Sequence, residues 1–335
     1  MLQENDRTSA EVWAMAHLGT PMAIRVAATL RLADHIAAGH RTAAQLAATI
    51  KADPDALERL MRYLAARKVL HRTETGEYDL TVLGETLRDD HPAGLRAGLD
   101  IEGAGRAELA YVQLLHSVRT GEAAFPVQFG RTFWQDLDDD PGLTAAFNAL
   151  MGGDVPARSR DLLTAYDWAS LGHVVDVGGG DGSMLIALLT AFPGLRGTLV
   201  DLSDTARVAG AALQAARLTD RAAVAPGSFF DPLPAGAGGY LLSWILHDWG
   251  DGPARAILRR CAEAAGPGGT VLIAEQTGSA ADAPRTGLDL RMLAYFGGKE
   301  RGLAELTALA ATCGLRVVAV HPAGAMSIVE LTTGR

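Results

Sequence analysis

Two cysteines in 335 residues exclude a disulfide framework. Cys261 and Cys313 both fall in segments that read as helical, so buried free thiols are expected. Positive charge is also short. Thirty Lys and Arg against 39 Asp and Glu give a net charge of −9. That argues against a nucleic-acid partner, because such proteins usually present a basic face. No uninterrupted apolar run approaches the ~18 residues of a membrane span. The opening residues MLQENDRTSA hold neither the basic nor the apolar stretch of an export signal. A soluble, cytoplasmic protein with no membrane partner is the expectation. Two phosphate-binding signatures are missing as well. There is no G-x-x-x-x-G-K-[ST] loop. The dinucleotide fingerprint G-x-G-x-x-G fails from either start: from Gly178 its last position is Ser183, and from Gly179 its middle position is Asp181. No internal repeat or low-complexity segment is present.

The length and an apolar content of 48% allow a large core, and two domains are the prior at ~100–200 residues each. Residues 10–120 read as almost all helix. In AIRVAATLRLADHIAAG, Ile24, Ala27, Ala28, Leu32 and Ile36 recur at helical spacing, with Gly39 as a C-cap. Asp53 and Pro54 start another helix as cap and first residue. Two alternating runs around Thr75-Gly76 then predict a hairpin. Helices followed by a hairpin make a winged helix-turn-helix. A DNA-binding regulator is therefore one hypothesis, but acids slightly outnumber Lys and Arg between Arg41 and Asp90. A DNA reader makes about 6–10 phosphate contacts, so a dimerisation element is preferred. The expected division is 1–120 for this unit, 121–170 for an aromatic-rich helical connector, and 171–335 for an α/β domain.

From residue 173 strands and helices alternate, which predicts a parallel sheet with helices on both faces. The expected strands are His173–Val177, Gly197–Asp201, Ala222–Ala225, Tyr240–Leu246, Thr270–Glu275, Arg316–Val320 and Ser327–Leu331. The first runs into D-x-G-x-G-x-G, Asp176 to Gly182, where glycines let backbone approach a ligand. An acid at that strand end suits a cationic amino group and suits a pyrophosphate poorly. Asp201, ending the second strand, can accept bonds from both ribose hydroxyls. A nucleoside with a cationic tail, S-adenosylmethionine, fits both acids. The competing reading is a glycine turn needed only for packing.

After the fourth strand, His247 and Asp248 lie at the carboxyl edge where ligands bind in such sheets, between Trp244 and Trp249. Glu275 ends the next strand and Glu300 follows in GGKERG. Two carboxylates near an imidazole hold its tautomer and stabilise its charged form. His247 is the candidate base that deprotonates a methyl acceptor. The spacing of His247, Asp248 and Asp251 fits no standard zinc motif, and no metal is expected.

In order along the chain, VVDVGGGDG, LVDL, GSFFDPLP, ILHDWGD, LIAEQ and DLRMLAYFGGKER resemble the S-adenosylmethionine-dependent O-methyltransferases of the caffeic acid and flavonoid type. Bacterial enzymes that methylate antibiotic precursors belong to the same group. The resemblance implies a class I, Rossmann-like methyltransferase domain with a seven-stranded sheet, behind a winged-helix dimerisation domain. It implies a homodimer, a small aromatic acceptor with a phenolic hydroxyl, and release of S-adenosylhomocysteine. By the same resemblance, His247 matches the base and Glu275 and Glu300 the acids that bracket it. Asp154, Gly178, Gly180, Asp201, Leu202, Ser228, Phe229 and Ser243 match cofactor contacts. Trp134, Phe147, Met151, Trp244, Asp248, Met292 and Phe296 match acceptor-pocket positions, with ordinary core packing the competing reading for the aromatics and methionines. Three departures stand out. Ser228 replaces the family's usual Asp, Ser243 stands where plant members often carry Lys, and GGKER lacks a preceding Pro. Some bacterial relatives have lost the His and run altered chemistry, hydroxylation or decarboxylation, whereas this chain keeps it.

Overall fold

A computed structural model describes residues 2–152, 155–277 and 286–334. The chain divides into two compact units, Met1–Leu109 and Ala110–Arg335. Residues 121–170 therefore lie in the second.

In the first unit, helices Gly19–Thr29, Leu32–Ala37, Ala43–Ile50 and Pro54–Ala66 precede a two-stranded hairpin, β1 (Leu70–Arg72) and β2 (Tyr78–Leu80). The helix starts are set locally. Thr42 makes a capping box with Gln45, and Asp53 accepts the Ala56 N–H at 2.8 Å ahead of Pro54. Such caps are worth about 1 kcal/mol each. Gly76 turns the hairpin at φ +85°. Leu46, Met61, Leu64 and Tyr78 are fully buried between these elements. The run from Ile24 to Ile36 is two helices, not one. Arg31 takes φ +52° and breaks it. Periodicity survives such a break because both halves still turn apolar side chains to one core.

The second unit is a seven-stranded sheet of β3 (His173–Val177), β4 (Arg196–Asp201), β5 (Ala222–Pro226), β6 (Gly239–Ser243), β7 (Thr270–Glu275), β8 (Leu315–Ala323) and β9 (Met326–Thr333). Its order is β5-β4-β3-β6-β7-β9-β8. The chain winds outward from β3 to β5, then returns to β6 and winds the other way. This reversal beside β3 opens a crevice at the strand carboxyl ends. Alternate residues feed two cores. Val175, Tyr240, Leu242, Val271 and Ile273 pack against helices Asp251–Ala265 and Leu303–Ala311. Val174, Leu199, Leu241 and Leu272 face helices Ser183–Ala191 and Ser203–Ala215.

Three expectations need correction. The sheet is not wholly parallel: β9 pairs antiparallel with both β7 and β8. Only Gly324 and Ala325 separate β8 from β9, and two residues make a hairpin, never a crossover. Second, β6 ends at Ser243, not Leu246, because Trp244 adopts φ +59°. Third, Cys313 lies past the end of its helix and is only half-buried, while Cys261 is buried as expected. Among the described residues no helix is long and apolar enough to cross a membrane.

Candidate active site

The glycine turn leaves β3 with Gly178, Gly180 and Gly182 at φ +73°, +59° and +83°, a region that L side chains rarely enter. Space enforces glycine too at the first of these. A Cβ on Gly178 would sit 2.6 Å from Ile245 Cδ1 and 3.3 Å from Phe229 Cε1. At Gly180 nothing lies within 4 Å of such a Cβ, so that peptide stands open. Asp201, at the end of β4, accepts the Gly180 N–H at 2.9 Å on one oxygen and the Leu202 N–H at 2.8 Å on the other. Each oxygen keeps a lone pair for a ligand. Burial holds the Asp201 carboxyl above its ordinary range, against these two bonds.

Asp176 lies beneath the turn, 1% exposed, and its Oδ2 has no partner among the described residues. Burial, then the charges of Asp201 and Asp181, push it up to about 7. A buried acceptor lacking a donor, an open glycine peptide and a carboxylate with spare lone pairs fit a cationic nucleoside. They do not fit a pyrophosphate, which two acids would repel.

The remaining cofactor candidates cluster unevenly. Ser228 follows β5, and its Oγ accepts the Phe230 N–H at 3.2 Å. Phe229 meets Trp249 edge-on at 5.8 Å. Ser243 closes β6 half-buried, and Leu202 is exposed beside Asp201. Asp154 lies outside the described residues.

The positive φ of Trp244 redirects the chain after β6, so that Leu246–Asp248 form a single tight turn. The N–H groups of Leu246 and His247 both point at Glu275 Oε1, at 2.7 and 3.1 Å. Glu275 therefore grips the backbone of the turn. Glu300 alone of the two acids bonds the ring, with its Oε1 2.7 Å from His247 Nδ1. Glu275 acts on the ring through its nearby charge and not through a hydrogen bond to it. Asp248 comes 3.5 Å from Nε2, beyond a good hydrogen bond, and the indole of Trp244 stands edge-on to the ring at 5.0 Å.

Electrostatics at this turn are one-sided. Burial opposes a charge on His247, but Asp248, Glu300 and Glu275 outweigh it and raise the ring to about 9. Burial raises Asp248 to about 7 and raises Glu275 as well.

Aromatic side chains from helices before the sheet and from the helix Thr286–Phe296 between β7 and β8 meet near Trp249. Trp134 stacks on Phe296 at 5.3 Å and on Trp249 at 6.4 Å. Phe147 meets Trp134 edge-on at 6.4 Å. Met292 is buried in the helix that carries Phe296. Met151 is 43% exposed and Trp244 gives its indole N–H to Met326 Sδ at 3.1 Å. Phe133, not anticipated, is the hub that touches Phe125, Trp134, Phe147 and Phe296.

Two further groups were not anticipated. Gly298 packs so closely that a Cβ would fall 2.2 Å from His247 O. Arg301 is buried at 2% exposure with its guanidinium on the carbonyls of the same turn. The quoted GGKER contains both, but their partners are some 50 residues away in sequence.

Comparison with known proteins places this geometry. Residues 111–316 match the O-methyltransferase domain family, and residues 14–90 match the O-methyltransferase dimerisation domain. The 2,7-dihydroxy-5-methyl-1-naphthoate 7-O-methyltransferase of Streptomyces carzinostaticus is 57% identical over 320 residues, 95% of this chain and 96% of that protein. Aclacinomycin 10-hydroxylase RdmB of Streptomyces purpurascens is 44% identical over 94% of this chain and 86% of its own length. The O-methyltransferase NcsB1 from neocarzinostatin biosynthesis superposes with a TM-score of 0.92 at 56% identity, over 96% of this chain and 98% of that one. It was solved with S-adenosylhomocysteine and 1,4-dihydroxy-2-naphthoic acid, and also with S-adenosylmethionine and 2-hydroxy-5-methyl naphthoic acid.

Proposed function

The chain belongs to the S-adenosylmethionine-dependent O-methyltransferases, and from that premise we propose that it methylates a phenolic hydroxyl of a naphthoate-like antibiotic precursor, with His247 as the general base. The observation that carries the reading is the buried His247–Glu300 pair at 2.7 Å. It commits Nδ1 to Glu300 and leaves Nε2 to take a proton.

When bound, S-adenosylmethionine supplies an electrophilic methyl group with its leaving group already attached. Gly178, Gly180, Asp176, Asp201, Leu202, Ser228, Phe229 and Ser243 are the described residues proposed to hold it, with Asp154 as a further candidate. Trp134, Phe147, Met151, Trp244, Met292 and Phe296 are proposed to enclose the acceptor, and Asp248 to face its hydroxyl. Flat, stacked rings suit a fused bicyclic substrate. The dimerisation match at residues 14–90 supports a homodimer.

The raised pKa changes the proton balance. A free histidine lies about 3.5 units below a phenol at ~10. With His247 at about 9 the gap shrinks to about one unit, roughly 1.4 kcal/mol. The same shift keeps the ring protonated at neutral pH, and a base must be neutral to act. kcat/KM is therefore expected to rise about tenfold per pH unit and level off above about 9. Asp248 is the first carboxylate raising the ring, so Asp248→Asn should move the rising limb to lower pH. A limb at the same pH in that variant would remove Asp248 as the cause.

The test of function is turnover on a panel of hydroxynaphthoates and single-ring phenols, followed by product mass. Gain of one CH2 on a bicyclic acceptor is expected. Failure on every phenol, with S-adenosylhomocysteine still raising Tm, would refute the acceptor class. A second reading is favoured by one observation, the 44% identical relative named as a hydroxylase. Gain of one oxygen in place of CH2 would establish it.

A further inference from the structure

The segment Lys299–Arg301 grips the His247 turn at every level. The Lys299 N–H donates to His247 O at 2.8 Å, and the Glu300 carboxyl holds the ring. Arg301 reaches across to either side of His247. Its Nη1 donates to Leu246 O at 2.8 Å and its Nη2 to Trp249 O at 2.7 Å. Nε and Nη2 both donate to Asp251 Oδ1, at 3.1 and 2.9 Å. Nη1 also reaches Lys299 O at 3.3 Å.

We propose that Arg301 is a positioning residue for the transfer: its planar fork fixes the carbonyls flanking His247, so that the ring stays in register with Glu300 and Nε2 stays aimed at the acceptor. Glu275 holds the N–H groups of the turn and Arg301 holds its C=O groups. Together they fix the orientation of the peptides that carry the base. Gly298 allows this segment to approach, because any side chain there would strike His247 O. Lysine cannot replace the fork, since an ammonium lacks the planar, spaced donors that reach two carbonyls at once. The proposal rests on His247 being the base.

Arg301→Lys is expected to lower kcat roughly 10- to 100-fold, the effect of misplacing a catalytic group by about an ångström. KM and the affinity for S-adenosylhomocysteine should change little, while Tm falls because buried carbonyls lose their donors. The His247 ring, followed by NMR titration of the S-adenosylhomocysteine complex, should titrate at a shifted pH. Guanidinium added to Arg301→Ala should restore part of kcat, and methylammonium should not. Should the alanine variant not fold, Asp251→Asn serves in its place. Asp251 is 53% exposed, and its loss should reduce kcat about two- to fivefold in the same direction. The proposal is overturned if Arg301→Lys keeps kcat within twofold. It is equally overturned if kcat, cofactor affinity and Tm fall together while the His247 titration stays put, since that marks a purely structural role. The titration needs no turnover, so it separates failure of this proposal from failure of the base assignment.

Discussion

His247→Gln is expected to lower kcat by roughly 10²–10⁴-fold, the usual contribution of a general base, with cofactor affinity essentially unchanged. The cofactor candidates sit mainly at the ends of β3, β4 and β5, whereas His247 follows β6. Glutamine is preferred to alanine for a physical reason. Removing the ring outright leaves Glu300, Glu275 and Asp248 buried around a void without the imidazolium, and breaking a buried charge pair destabilises by about 3–5 kcal/mol. A glutamine amide can still donate to Glu300, but it cannot accept and carry a proton. Single-turnover methyl transfer, calorimetry with S-adenosylhomocysteine and Tm are the measurements. Turnover within tenfold of the native enzyme would dismiss His247 as the base. The rising pH limb should also vanish in the residual activity of the variant, because the ring that titrates near 9 is gone.

Much of the catalytic half was legible because its signals are local. The glycine turn and the acids ending β3 and β4 each depend on residues within one turn of chain, as does the helix start at Asp53 in the first unit. What escaped depends on partners far along the sequence. The apolar run WIL carries the expected fourth strand on to Leu246. The left-handed Trp244 that ends it has no marker in sequence, since tryptophan carries no preference for that region. The strand-end position of Glu275 places it near the ring but does not show what it bonds. Its actual partners are N–H groups 28 and 29 residues earlier in the chain, and the direction of a peptide cannot be seen in residue types. Residue type alone does not mark Arg301 as buried. Only the carbonyls of Leu246 and Trp249 explain why it is buried. The break at Arg31 leaves no trace in the periodicity, which counts side chains and ignores backbone sign. The β8–β9 hairpin is hidden by the assumption of alternation, because the expected strands Arg316–Val320 and Ser327–Leu331 leave six residues between them where the structure leaves two.

Asp201→Ala is the second change expected to have a large effect, and it should act on binding alone. Two hydrogen bonds from a ligand to a carboxylate, each worth about 1.5–3 kcal/mol, amount to about 3 kcal/mol or more, roughly a hundredfold in Kd. The glycine turn loosens as well, because the Gly180 N–H loses the oxygen that holds it at 2.9 Å. Stability should move far less than affinity. Burial raises the Asp201 pKa in the folded chain, so its ionised form is disfavoured by folding, and that penalty is present at pH values above the ordinary carboxyl range. Deleting the carboxyl removes the penalty while also removing bonds to Gly180 and Leu202, and the two effects offset. Asp201→Asn keeps one acceptor oxygen but turns the other into a donor facing an N–H, so it should bind between the native chain and the alanine variant. Calorimetry with S-adenosylhomocysteine on all three forms measures the series. Native affinity in Asp201→Ala would disprove the ribose assignment. A large fall in Tm that parallels the loss of binding would show instead that Asp201 serves the fold of the glycine turn.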